Sequence, residues 1–290
     1  MSCSLLPKMI ARQTARTAPA ARRVRGFTLI ELMVAMAIAI FLLGGLGMIV
    51  QNIRKENTNQ QALAVLQDEQ RFAMTVLTDV IQAGGYYPNA TGQTVISALA
   101  VEPAPAAAPG QVAMVAGQAF DGFHSAGGYP ATPDSLTVRF MTSGSDGVIR
   151  CDGSQNIGGA GTYELETNVF TVVPPAGNVP GQLQCTFLAN GAVVNGPVTL
   201  INGVQSLEVF YGVNRNAPTI NYNVDTYLTA DQMDAGAPAG GDWMNITSVR
   251  IVLTFTNPLC ATPATCQPGQ PATILFERVV PVMARSGVHS

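Results

Sequence analysis

From Leu32 to Val50 the chain carries no charged residue, and nearly every position of LMVAMAIAIFLLGGLGMIV is apolar. A helical run of about 19 residues, at 1.5 Å rise per residue, crosses most of a bilayer core, so the stretch predicts a membrane helix. Beyond Val50 polar residues enter, yet Leu63, Leu66, Phe72, Ala73, Val76, Leu77, Val80 and Ile81 recur near helical spacing. That is the mark of an amphipathic continuation. Gly84-Gly85, followed by Tyr86-Tyr87-Pro88, supplies a stop. One helix from about Phe27 to Ala83 is expected, roughly 85 Å long at that rise. Its second half is expected to pack an apolar stripe on a globular domain, with Arg54, Lys55, Glu56, Asp68, Glu69 and Arg71 turned to water or to neighbouring subunits.

After Pro88 the pattern changes to short β-branched and aromatic runs between Gly, Pro, Asn and Asp: SLTVRFMTS, NVFTVVP, QLQCTFLA, PVTLINGVQSLEVFYGV, SVRIVLTFTN and TILFERVVPV. Ser135 to Phe140 and Ser248 to Phe255 alternate with period two, which predicts antiparallel strands with one buried face. The class is α+β, a long N-terminal helix packed on an antiparallel sheet domain. VEPAPAAAPGQVA is rich in Pro and Ala and is expected to be a loop.

Charge then changes the picture. Lys8, Arg12, Arg16, Arg22, Arg23 and Arg25 precede Gly26 with no acidic residue among them. Without them nine basic residues face 18 acidic ones, taking the formal net charge from −3 to −9. A body of that sign is poorly suited to nucleic acid, whose binding neutralises phosphates with Lys and Arg. Arg22, Arg23 and Arg25 are expected to stay cytoplasmic by the positive-inside bias, sending the rest of the chain to the periplasm. An ordinary secretory signal would place an A-x-A site after the apolar run, but QNIRKENTNQQ follows Val50, so the run is expected to be retained. Glu31, an ionisable residue at its head, is a candidate functional group because an unpaired carboxylate there is costly.

Cys3 lies in the basic segment; Cys151, Cys185, Cys260 and Cys266 form an even set in the body. Downstream of an export signal, four thiols read as two disulfides. Of three pairings the expected one is Cys260 with Cys266, which flank the short ATPAT segment between two strands, leaving Cys151 with Cys185. A metal site is not expected: His124 and His289 lie in loop-like sequence and no C-x2-C pair occurs. No cofactor is expected and the chain does not read as an enzyme, since G-x-S-x-G, H-E-x-x-H and P-loop motifs are missing from the sequence. Glu164 and Glu166 alternate on a predicted strand and read as a solvated face. Trp243 reads as core or interface packing.

Arg25-Gly26-Phe27-Thr28-Leu29-Ile30-Glu31-Leu32 resembles the prepilin signature of type IV pilins and the related pseudopilins. QDEQRFAMTVLTDVIQAGGY, GVQSLEVFYGVN, DTYLTADQM and DWMNITSVRIVL extend the resemblance, across essentially the whole chain, to PilW-like minor pilins. It implies a type IV pilin-like fold, and cleavage between Gly26 and Phe27 by the prepilin peptidase, with N-methylation of Phe27. It further implies pairing of Glu31 with a neighbour's Phe27 ammonium. The expected divisions are 1–26 as leader, 27–50 as transmembrane and filament-core helix, 51–83 as amphipathic periplasmic helix, and 84–290 as the β-rich periplasmic domain. Met9 is an alternative start to Met1. The implied partners are other minor and major pilins and the inner-membrane assembly platform. The implied location is a single pass in the inner membrane, then the pilus, where the subunit primes assembly. A pseudopilin of type II secretion and a tip adhesin module stay open as alternatives. The family's acidic, Gly-rich stretch after YGV is here NRNAPTINYNVD, with only Asp225 as a carboxylate, which gives no basis for calcium.

Overall fold

The computed structural model describes residues 26–88, 92–103, 113–124, 133–144, 146–158, 161–177, 179–214, 223–235, 241–260, 266 and 268–285. The expected leader, with Met1, Cys3 and Met9, lies outside them apart from Gly26, as do ATPAT and His289. The chain divides into two compact units, Met1–Glu56 and Asn57–Ser290. Helix α1, Leu29–Ala83, begins in the first and ends in the second.

In the first unit every described residue is exposed, including Phe27, Leu29, Ile30, Ile40 and Phe41. Its stretch from Leu32 to Val50 is apolar on all sides and calls for lipid or other helices around it.

In the second unit α1 buries Leu66, Ala73, Met74, Leu77, Val80 and Ile81. These positions fall on one face, because steps of three, four, seven and eight residues return to the same side of a helix. The helix stops where Gly84 N donates to Ile81 O and Tyr86 N to Ala83 O. Gly85 takes φ +80°, the left-handed conformation that glycine adopts without steric cost. Gly84 is required for a second reason: a Cβ there would overlap the Phe120 ring.

Nine antiparallel strands follow among the described residues: β1 Phe120–Phe123, β2 Ser135–Ser143, β3 Tyr163–Val173, β4 Gln182–Ala189, β5 Ala192–Asn202, β6 Val204–Val213, β7 Thr226–Leu228, β8 Ile246–Thr256 and β9 Thr273–Pro281. They form a five-stranded sheet in the order β1-β2-β3-β4-β5 and a four-stranded sheet in the order β7-β6-β8-β9. Two short helices, α2 Val95–Ala98 and α3 Ala230–Asp234, lie before β1 and after β7. A single apolar core takes in the α1 stripe together with Leu136, Val138, Phe140 and Phe170 of the first sheet, and Leu207, Val209, Ile251 and Leu253 of the second. The architecture is α+β, a long N-terminal apolar helix followed by antiparallel sheets.

One expectation fails in β2. Ser135 to Phe140 are all buried, on both faces, because the far face is covered by segments on either side of the Glu102–Met114 bridge. β8 fails it as well: of Ser248 to Phe255 every residue but Arg250 is buried.

Candidate functional site

Gly26 and Phe27 lie ahead of α1 in open chain; a Cβ on Gly26 would meet nothing within 4 Å, and Phe27 is 80 % exposed. The fold itself therefore leaves room for a larger residue at Gly26. Thr28 begins the helix: its Oγ1 accepts from Glu31 N at 3.4 Å and its carbonyl from Leu32 N at 3.2 Å. Thr28 was not singled out from sequence, yet T-x-x-E before an apolar run is the signal of a capping box. Glu31 is exposed in the first turn, where the partial positive charge of the helix end favours a carboxylate. Glu31 and Phe27 thus lie at the same helix end, about one turn apart.

The sheet domain holds its own charged groups inside. Asp134 joins the two sheets: its N–H donates to Leu207 O at 2.9 Å, and its Oδ2 accepts from Val209 N at 2.9 Å. His124, in the loop after β1, has its Nδ1 2.8 Å from Asp134 Oδ1 and so is a structural partner of that carboxylate. Tyr211 OH donates to Asp121 O at 3.1 Å, and Trp243 packs edge-on to Tyr211 at 4.8 Å while donating from Nε1 to Asp234 Oδ1 at 2.8 Å. Burial pushes Asp121 up to about 7, with the Asp234 charge adding to the rise; Gly122 N, Arg139 and Gln118 oppose it. Tyr211 is pushed well above its ordinary value by burial, then by Asp121, Asp134 and Asp234.

Arg139 of β2 is fully buried and spends its donors on carbonyls: Nη1 on Ala100, Nε and Nη2 on Gln118, and Nη2 also on Val115. Glu102 Oε2 stands 3.7 Å from Nη1 and accepts from Thr167 Oγ1 at 2.6 Å. Burial lowers the arginine's pKa, and the Glu102 and Asp121 carboxylates offset only part of that fall. Glu102 belongs to the stretch expected to be a plain loop; residues 104–112 of that stretch are outside those described. Glu166 also corrects its reading. It is buried, accepts from Thr142 Oγ1 and from Arg150 Nε and Nη2, and burial raises its pKa despite them. Glu164, by contrast, is partly exposed beside the same Arg150 at 2.9 Å.

Cys151 is bonded to Cys185, and Cys260 to Cys266. The first bond ties the loop before β3 to β4 in the core, next to Cys151 N donating to Asn168 Oδ1 at 2.9 Å. Its neighbour Arg150 stacks 4.3 Å from the centre of the Phe187 ring.

Over residues 21–47 the chain matches the family model described as the prokaryotic N-terminal methylation motif. Over residues 169–273 it matches that of type IV pilus-assembly protein W. The first spans the Gly26–Glu31 site and the apolar start of α1; the second runs from within β3 to the first residue of β9. No curated protein matches the chain. The two matches are those of a PilW-like type IV pilin, whose place is among the other components of the pilus.

Proposed function

We propose that the chain is a minor subunit that primes type IV pilus assembly from the inner membrane, and that it enters the pilus with its β domain outermost. The observation that carries this reading is the uncharged, wholly exposed helical stretch from Leu32 to Val50, headed by Glu31 and preceded by Gly26-Phe27. A helix of this kind is stable in lipid and equally in a bundle of its like, so transfer from membrane to filament costs little apolar exposure. On this reading 1–26 is a leader removed by the prepilin peptidase, and Phe27 becomes the N-methylated first residue. Residues 27–50 span the bilayer and then the filament core, 51–83 continue into the periplasm, and 84–290 form the periplasmic domain. Glu31 pairs with the Phe27 ammonium of a neighbour, lowering the cost of both charges in apolar surroundings. The role is structural: insertion, bundling and lateral contacts do the work.

The test is removal of the chain from a piliated strain, followed by counts of sheared surface pili and by mass measurement of the N-terminal peptide of the restored protein. Fewer pili, recovered on restoration, and an N-methylated Phe27 terminus are expected. Unchanged pilus number would overturn the priming role, and a terminus elsewhere would overturn the processing.

A further inference from the structure

A sheet edge is where an antiparallel domain can accept another chain, because its outward N–H and C=O groups lack a strand partner. Four described strands end the two sheets. β1 has four residues and β7 has three, too few for a ladder. β5 has 11, but its pairing with β4 slips at Leu183/Gln184, Cys185/Phe187 and Phe187/Leu188, and Pro197 removes a donor. Slips and proline are the devices by which an edge is made unfit for pairing.

β9 has neither. Its nine residues pair with β8 in unbroken register, from Thr273 opposite Thr256 to Pro281 opposite Ser248, and its one proline is the last residue. Among the described residues no backbone hydrogen bond reaches the other edge between Ile274 and Val280. The strand is held from one face: Ile274, Phe276 and Val280 join the core, and Arg278 Nη1 donates to Thr78 Oγ1 of α1 at 3.2 Å. Its other face presents Leu275, Glu277 and Val279 in alternation, with Leu275 62 % and Val279 49 % exposed. Glu277 is itself largely exposed and reaches Arg250 only at 3.7 Å. The strand therefore offers an open ladder flanked by an apolar, an acidic and an apolar side chain.

We infer that the β9 edge is a docking site for an extended strand of a different pilus subunit. That strand lengthens the four-stranded sheet, setting apolar side chains beside Leu275 and Val279 and a Lys or Arg beside Glu277. The inference rests on the chain being a pilus subunit. A second copy fits less well, since antiparallel pairing of β9 with itself about its centre puts Glu277 opposite Glu277, and like charges facing across a ladder repel. Two bodies of the same strongly negative charge also oppose association.

The test places a photo-crosslinking residue at Leu275 or Val279 of the full chain, in cells that make every pilus subunit, with Val193 and Val194 of β5 as controls. Expected is an adduct from β9 alone, whose partner peptide, read by mass spectrometry, is an extended segment of another chain with a prepilin-type N-terminus. In the same cells E277K should abolish the adduct, and reversing a Lys or Arg of the partner segment to Glu should restore it. Retention of both disulfides in the E277K protein checks that the domain still folds. Adducts joining two copies, equal yields from β5, no adduct at all, or an E277K adduct of undiminished yield would each overturn the inference. N-terminal processing at Gly26, read on the same blots, tests the pilus-subunit reading separately: a processed chain without β9 adducts removes this docking site and leaves that reading intact.

Discussion

His124 Nδ1 sits 2.8 Å from Asp134 Oδ1, while the other oxygen of that carboxylate takes the N–H of Val209 at 2.9 Å. The carboxylate thus completes β6 at a point where no strand lies beside it, with β7 pairing only at Tyr211 to Val213. Replacing Asp134 with Ala strands a buried N–H, so D134A should lose about 1 to 3 kcal/mol of stability. H124A, which removes only the outer partner, should lose less. Chemical denaturation of the detergent-solubilised mature protein measures both, and equal losses would show that Asp134 does not depend on its strand-like bonds.

The second prediction concerns pH. Asp121 ionises near 7 in the fold against an ordinary value of 3.8, because burial disfavours its charge. The folded state therefore binds this proton more tightly than the unfolded state. Its stabilising effect is complete below about pH 4 and is lost as pH rises through about 7, a cost of roughly 4 kcal/mol by linkage. D121N keeps an oxygen for Gly122 N but cannot ionise. It should match the parent near pH 4 and exceed it by about 2 to 4 kcal/mol at pH 8. Comparing the two proteins cancels the other titrating groups. A pH-independent difference between them would remove the buried-charge account.

How much of this was legible in the sequence depends on the range of the contacts involved. The helix, its stop at Gly84-Gly85 and most strands follow from local periodicity, and Thr28 was readable as the first residue of T-x-x-E. Arg139 was not readable. It lies at an alternate position of β2 that a one-sided sheet would give to water, and its burial depends on Ala100, Val115 and Gln118, 21 to 39 residues away. Glu166 was misread for the same reason: its partner Arg150 comes from a loop 16 residues earlier. Period-two alternation states which face a residue takes, not what later covers that face.

The two disulfides should differ in weight. The Cys151–Cys185 bond closes a separation of 34 residues and lies in the core, whereas Cys260–Cys266 closes 6. In the chain-entropy account these constrain the unfolded chain by about 4 and about 2 kcal/mol. C151S also leaves a buried hydroxyl, so it should lower the melting temperature more than C260S. Non-reducing peptide mapping checks the pairing itself: a peptide crosslinked through Cys151 and Cys260 would refute it.

Gly26 lies in open chain with room for a side chain, so G26V should leave the fold and membrane insertion unchanged. A peptidase that approaches the backbone closely at this position would be blocked by it. Immunoblots should then show uncleaved precursor in the inner membrane and few surface pili. Normal processing of G26V would sink the assignment of the cleavage site.

Glu31 can serve its own helix or a neighbouring subunit, and two substitutions separate the roles. Within the helix its N–H already meets Thr28 Oγ1, and a side chain at this position adds a reciprocal bond that Gln makes as well as Glu. Toward a neighbour, the charge is what matters, since only a carboxylate neutralises the Phe27 ammonium in apolar surroundings. If the helix start is its whole role, E31Q should pilate normally and E31A poorly. If it pairs between subunits, E31A and E31Q should both insert and be cleaved, E31A with somewhat easier insertion, and both should then fail to assemble. The second pattern is expected, measured as sheared pili from a strain lacking other priming subunits. Normal piliation with E31Q would leave Glu31 as a helix cap and nothing more.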